Sequence, residues 1–468
     1  MIVGLRQEQL YHGRSIEREW WSTICLREMR GINMAISEKK YHTYLNILKE
    51  ELQPAMGCTE PIAIAYAAAR ARDLLGVLPE RAIICVSNNI IKNVKSVVVP
   101  NTDGRRGIEA AVVAGIAGGD ASKKLEVIAS ITEEQKAKIQ ELSETLPIEV
   151  RQLDGGMVFD IFLTLYAGEQ SVKVRVSQYH TNIVYEEKNG EVLFHSSLYD
   201  QMQNGFTETS GEEGLSDRGC LNLKEILEFA DEVDVLDVKE LLDRQIRYNE
   251  AIAEEGLLGD YGANIGSTIW KYYEHNVENR AKAKAAAGSD ARMSGCELPV
   301  VINSGSGNQG IAVSVPVIEY AIELGVKKET LYRALTLANL IAIHEKTGIG
   351  RLSAYCGAVS AGCAAGCGIA YLYGGDYEIL AHTLVNSLAI VSGIICDGAK
   401  SSCAAKIASS VEAGILGYHM YKNGQEFKKG EGIVNVDVET TIHNIGRLGK
   451  DGMRDTDREI VKIMLDVK

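Results

Sequence analysis

The chain has 468 residues, enough to bury large cores and to divide into two or three domains. Hydrophobic residues make up 46% and charged residues 24%, an ordinary globular balance, and a net charge of −14 argues against a nucleic-acid-binding surface. Six Phe and three Trp against 46 Gly call for aliphatic cores with closely approaching backbones.

Met1–Gly31 is charged throughout and shows no apolar secretory core, and Met1–Asn33 lacks periodicity, so residues 1–33 read as an extension of little functional weight. A cytoplasmic setting is expected, in which the ten cysteines are reduced thiols or metal ligands. The apolar stretches Ala361–Tyr373 and Ala381–Ile395 are too short, or too interrupted by Gly, Asn and Ser, to span a bilayer.

Lys39–Gln53 is an amphipathic helix by its spacing of Tyr41, Tyr44, Leu45, Ile47, Leu48 and Leu52. Gly57-Cys58-Thr59-Glu60-Pro61 interrupts it, and Ile62–Leu75 resumes as an Ala-rich helix with Thr59 as its cap and Pro61 in its first turn. The β-branched runs Ala82–Asn88 and Ser96–Val99 predict strands. Ile108–Gly118 and Glu133–Leu146 predict helices, and Leu125–Ile131 a strand. Ile148–Leu153, Val158–Ala167, Ser171–Ser177 and Thr181–Glu187 alternate as an antiparallel sheet. Ser197–Leu221 is polar and Gly-rich and reads as a linker or mobile loop. Leu223–Gly256 and Asn279–Ser294 predict helices, Pro299–Asn303 an extended piece, and helical patterns then run to about Gly424 before a strand at Ile433–Val438.

The expected fold class is therefore α+β. Residues 34–78 form a helical segment that packs with a mainly helical domain at 223–468. An α+β unit at 79–200 is inserted between them, and 201–222 is the connecting linker.

Five cysteines cluster in Ser353–Cys403: Cys356, Cys363, Cys367, Cys396 and Cys403. Cys363 and Cys367, four apart in an Ala/Gly helix, suit inert packing, as do Cys25, Cys85 and Cys220. Cys58, Cys356 and Cys396 each stand at a break in pattern, beside or one residue from a glycine, with a helix expected to follow. There the free N–H groups and the positive dipole end favour a thiolate. These three are expected to meet around one metal centre, with Cys296 and Cys403 as rival ligands; no C-x2-C pair of a zinc ribbon is present.

Ser304–Gly310 carries a literal G-x-G-x-x-G, but the next segment has a helical pattern rather than that of a strand ending in an acid, so dinucleotide binding is the remoter reading. The loop reads better as a nest of N–H groups, with Ser304, Ser306, Asn308 and Gln309, for a small carboxylate; a plain structural turn is the competing account. Lys92, Asn93, Lys95, Asn101 and Thr102 offer contacts to an amino acid, and His180, His344 and Lys400 offer proton transfer.

Longer stretches carry a resemblance. LQPAMGCTEPIAIAYAAA at Leu52–Ala69, NIIKNVKSVVVPNT at Asn89–Thr102, HTNIVYEEKNGEV at His180–Val192, SGSGNQGI at Ser304–Ile311, SAYCGAVSAGCAAGCG at Ser353–Gly368 and IICDGAKSSCAAK at Ile394–Lys406 resemble the L-cysteine desulfidase family, related to the alpha subunit of iron–sulfur L-serine dehydratases. The resemblance implies a lyase with a [4Fe–4S] cluster held by Cys58, Cys356 and Cys396, acting on a small amino-acid substrate. L-cysteine would yield sulfide, ammonia and pyruvate, and L-serine is the alternative substrate. The base would be Lys400, Lys95 or His344, and the substrate contacts Ser304, Ser306, Asn308, Gln309, Asn101 and Thr102. Whether the chain forms a homo-oligomer stays open.

Overall fold

The computed structural model describes residues 36–153, 156–205, 215–435 and 437–465, so the expected extension at 1–33 lies outside the described residues. Among these the protein is mainly helical with one mixed sheet, an α+β architecture. Helix α1 (Glu38–Glu51) begins where Ser37 accepts from the Lys40 N–H, and buries Tyr41, Tyr44, Leu45 and Leu48 at helical spacing. A short strand β1 (Pro54–Met56) leads to α2 (Thr59–Leu75), an Ala-rich helix buried on nearly every face.

Strand β2 (Arg81–Val86), α3 (Asn88–Val94), α4 (Gly107–Gly118) and α5 (Glu133–Thr145) come next. The remaining strands of this region are β3 (Ile148–Gln152), β4 (Asp160–Ala167), β5 (Gln170–Ser177), β6 (Ile183–Lys188) and β7 (Glu191–His195). They form a sheet in the order β3-β2-β4-β5-β6-β7, parallel only between β2 and β3. Helix α2 covers β4 and β5, and α4 packs on α2.

After α6 (Ser197–Gln203) the chain is helical: α7 (Leu223–Glu232), α8 (Val235–Leu258), α9 (Ile265–Tyr272) and α10 (Val277–Met293). Strand β8 (Pro299–Val301) interrupts before α11 (Gly307–Leu324), α12 (Lys328–Ile349), α13 (Gly357–Leu372), α14 (Tyr377–Val391), α15 (Cys403–Lys422), α16 (Val438–Arg447) and α17 (Arg454–Met464). β8 pairs antiparallel with β1, Pro54 opposite Val301, which brings the start of α2 beside the start of α11. Among the described residues no helix is long and apolar enough to cross a membrane.

The expected strand at Ser96–Val99 is not one. Ile90, Ile91 and Val94 bury as a helix turn after Ser87, and Val98 makes only a single bridge to Arg106. Leu125–Ile131 is a 3-10 turn (Ala121–Glu126) and its exit; Leu125, Val127 and Ile128 bury in the core with no strand partner, and the Ile128 carbonyl is satisfied by the Asn101 side chain. Ile433–Val438 forms no strand among its described residues, because Asp437 caps α16 through the Thr440 N–H. Thr59 does not cap α2: Cys58 is the N-cap residue, and the Thr59 hydroxyl donates to the Gly305 carbonyl at 2.8 Å. Part of the expected linker is ordered as α6 and as the turn Arg218–Cys220; residues 206–214 lie outside the described residues.

Helices α13 and α15 cross backbone to backbone. A Cβ at Gly414 would lie 2.3 Å from the Gly362 carbonyl oxygen, and one at Gly366 would lie 2.4 Å from that of Gly414. The small side chains are therefore a packing requirement. Gly414→Val is expected to lower stability by about 1–3 kcal/mol or more through overpacking. Gly393→Ala, where an added Cβ meets nothing within 4 Å, should stay within about 0.5 kcal/mol of the parent. Denaturant midpoints of the two variants check this.

Candidate metal centre

A single antiparallel bridge fixes two thiols. Tyr355 pairs with Ile395; the Cys356 N–H donates to the Ile394 carbonyl at 3.2 Å and the Cys396 N–H to the Ala354 carbonyl at 2.6 Å. Cys356 is also the N-cap residue of α13, as Cys58 is of α2, and neither sulfur makes a capping bond. Cys58 forms a small buried apolar group with Val97 and Met293, against which Ala399 and Cys403 pack. Cys403 is in turn within electrostatic reach of Cys356 and Cys396. Four thiols from three remote stretches therefore adjoin at one place.

Burial pushes the Cys356 thiol up to about 12, with Cys396 and Cys403 adding to the effect. Burial and then Glu60, whose Oε2 accepts from the Cys58 thiol at 3.1 Å, push Cys58 up as well. A bound cation reverses that preference by taking the thiolate form. Among the described residues no three His, Cys, Asp or Glu side chains converge as a single metal ion requires. A polynuclear cluster spaces its ligand sulfurs more widely than one ion does. The all-sulfur donor set, two members of it locked across a bridge, fits such a group.

Cations surround these thiols. Lys346 is 5% exposed, and its side chain makes no hydrogen bond or ion pair among the described residues. Burial pushes it down to about 8, against the upward pull of Cys396 and Cys356, with Lys92 and Arg351 pushing further down. Arg292 is buried, with its Nη1 donating to Asn308 Oδ1 at 3.1 Å. His180 is buried and pushed down to about 4 by desolvation, so it is neutral; its Nε2 has no partner. Arg351 is held by Glu51, whose Oε1 accepts from Arg351 Nη2 at 3.1 Å and from Arg218 Nη2 at 2.6 Å. Arg351 thereby stands over the Tyr179 ring and beside Gly305.

The model of the serine dehydratase alpha chain matches residues 122–462. The chain belongs to this family. It is 58% identical to a UPF0597 protein of Desulfitobacterium hafniense (strain Y51) over 433 residues, 92% of this chain and 99% of the relative. It is 50% identical to a UPF0597 protein of Lachnoclostridium phytofermentans over 426 residues, 91% of this chain and 100% of the relative. A UPF0597 protein of Treponema denticola is 46% identical over 438 residues, 92% and 100% of the two chains.

In this serine-dehydratase-like chain the other residues singled out in the sequence fall unevenly. Cys396 does not begin a helix: it sits in the bridged loop, and the helix starts at Cys403, after Asp397 is clamped by Lys400 at 2.5 Å and by Lys406. Lys400 is thus engaged by Asp397. Lys95 is exposed and donates to the Met464 carbonyl. His344 pairs with Glu439 at 2.7 Å, toward α16. Asn101 and Thr102 are committed to backbone, the former donating to the Ile128 carbonyl at 2.8 Å and the latter to the Val99 carbonyl at 2.7 Å. Ser304 donates to Asn303 Oδ1 at 2.8 Å, Ser306 opens α11 without a capping bond, and Asn308 holds Arg292. The Gln309 Oε1 is buried and unpartnered, and a Cβ at Gly357, next to Cys356, would meet that side chain at 2.6 Å. Of this set Asn308 and Gln309 reach the centre. Lys346, Arg292 and Arg351 were missed.

The Glu51 carboxyl is opposed by burial, but Arg351 and then Arg218 more than offset it and hold it below its ordinary 4.5. Its stabilisation is therefore complete above about pH 4.5 and is lost as pH falls through the lower folded value. Glu51→Gln removes the carboxylate that Arg351 and Arg218 share, while Arg218 keeps Glu50 at 3.0 Å, and is expected to cost about 1.5–3 kcal/mol at neutral pH. Denaturant unfolding between pH 7 and 3 should show the gap between variant and parent constant above about pH 4.5 and narrowing below it.

Proposed function

We propose that this protein is an iron–sulfur-dependent amino-acid lyase that eliminates the β-substituent of L-cysteine, with L-serine as the alternative substrate. The observation that supports the reading is that Cys58 packs against Cys403, which lies within electrostatic reach of Cys356 and Cys396 beside the Tyr355–Ile395 bridge. Cys58, Cys356 and Cys396 would hold a [4Fe–4S] cluster. With three thiolates such a cluster keeps one iron open as a Lewis acid for a substrate oxygen or sulfur.

The chain's own residues supply the proton chemistry. Lys346 lies among the thiols without an acid partner, and burial favours its neutral form, as a base requires. It takes the Cα proton; the Cβ–S bond breaks and hydrosulfide leaves with the electron pair. The aminoacrylate product takes a proton at Cβ to become an imine, and water hydrolyses the imine to pyruvate and ammonia. For L-serine the same steps release hydroxide, which leaves as water. Lys346 replaces Lys400, Lys95 and His344 as the preferred base because their side chains are committed to Asp397, the Met464 carbonyl and Glu439.

Anaerobically purified protein is expected to contain about four irons with matching sulfide, and to form pyruvate from L-cysteine or L-serine. Cys356→Ala should lose both iron and turnover. Faithful anaerobic reconstitution with no iron uptake would sink the reading. Lys346→Met is expected to keep the iron and its visible spectrum while kcat falls about 10²- to 10⁴-fold.

A further inference from the structure

We propose that Arg292 is the carboxylate-binding residue of this centre, which commits the site to small α-amino acids and sets aside their amines. The inference rests on the lyase reading for the identity of the site, and on the geometry of one guanidinium for its chemistry.

Arg292 is 2% exposed, and its Nε and Nη2 are buried without a hydrogen-bond partner. Its remaining nitrogen donates to Asn308 Oδ1 at 3.1 Å, and among the described residues it forms no ion pair. An arginine is charged at any working pH, and a buried charge without a counter-charge is costly. Nε and Nη2 form one edge of the guanidinium, and elsewhere in this molecule a carboxylate fills that edge. Arg70 sets Nε and Nη2 on the two oxygens of Glu186 at 2.6 and 3.0 Å. Arg175 does the same on Asp160 at 2.9 and 2.6 Å. In Arg292 the same two-pronged fork meets no acceptor among the described residues, and a planar carboxylate is the anion that matches it.

The surroundings point to a ligand as well. Arg292 adjoins the start of the 18-residue helix α11, where Ser306 makes no side-chain cap and the first N–H groups carry partial positive charge. A Cβ at Gly307 would lie 2.2 Å from Arg292 Nε, so only a glycine lets the guanidinium lie directly against the start of α11. Gln309, two residues on, keeps a buried acceptor oxygen unpartnered, suited to a substrate ammonium. The Arg292 charge favours the Cys58 thiolate and opposes protonation of His180, which sets it among the groups of the centre.

The test is direct binding to the full chain by calorimetry, with and without reconstituted iron. The probes are L-alanine, which has no leaving group, and ethylamine, which is L-alanine without its carboxylate. The parent should bind L-alanine and not ethylamine. Arg292→Gln should weaken L-alanine about 10- to 100-fold with iron content unchanged, and Arg292→Lys should recover part of the loss. Asn308→Asp sets a carboxylate against Arg292 Nη1 and answers its charge from within; it should raise the melting temperature and weaken L-alanine binding even if Arg292→Gln fails to fold. Unchanged L-alanine binding in either folded variant would overturn the assignment, as would loss of iron in Arg292→Gln with normal L-alanine binding in the iron-bearing fraction. Arg292-dependent L-alanine binding in a protein that takes up no iron would uphold the carboxylate site while the lyase reading falls.

Discussion

Two backbone hydrogen bonds, those of the Cys356 and Cys396 N–H groups across the Tyr355–Ile395 bridge, hold the centre together. They join the start of one helix to a loop 40 residues later, and each bond belongs to a cysteine. The bridge has little else to hold it flat, because it is a single pair and not a ladder. Its rigidity comes from behind. Helix α13 leaves Cys356 and runs directly against α15 through Gly362, Gly366 and Gly414, so the helix that carries one thiol cannot slide without breaking a close-packed contact. The glycine-rich composition and the thiol geometry are one requirement seen at two levels.

The third thiol arrives by a different device. Cys58 depends on the short β1–β8 ladder, which sets the start of α2 beside the start of α11, and on the Thr59 hydroxyl that reaches the Gly305 carbonyl. Around this junction the chain collects Lys92, Lys346, Arg292 and Arg351. Lys92 is answered by Asp457 from α17 and Arg351 by Glu51 from α1. The outer cations are therefore neutralised by the two ends of the described chain. The inner pair, Lys346 and Arg292, has no acid of its own. A centre built this way is short of negative charge until thiolates and an anionic ligand fill it.

The helices and most sheet strands were legible because their apolar spacing matches the face they bury: Tyr41, Tyr44 and Leu48 in α1, Val172, Val174 and Val176 in β5. Leu125–Ile131 misled because a β-branched run buries equally well in turns when its carbonyl groups find side-chain partners. Cys58, Cys356 and Cys396 were legible as breaks in pattern, and motif resemblance joined them across the chain. Lys346 and Arg292 were not, because a cation at the end of a helix ordinarily reads as a solvated tip. A signal was present at Arg292: nine consecutive residues, Ala285–Met293, are small or apolar apart from Ser289, Asp290 and Arg292, and the whole run is buried. A cation inside such a run has no solvated face to occupy. For Lys346 the run Leu335–Ile343 before it gives the same warning.

Cys403 tests how these parts fit together. It packs with Cys58 and lies within reach of Cys356 and Cys396, so a fourth thiolate is at hand. Four thiolates would close a cluster, leaving every iron coordinated and no substrate position. On the proposed reading, the unanswered carboxylate fork at Arg292 and the unpartnered Lys346 side chain would serve a substrate position, Arg292 orienting the amino acid and Lys346 taking its Cα proton, which a closed cluster would not provide. Cys403 is also the first residue of α15, with its sulfur directed to the Gly398 carbonyl at 3.7 Å. On the proposed reading it shapes the turn that presents Cys396, and the ligand count stays at three.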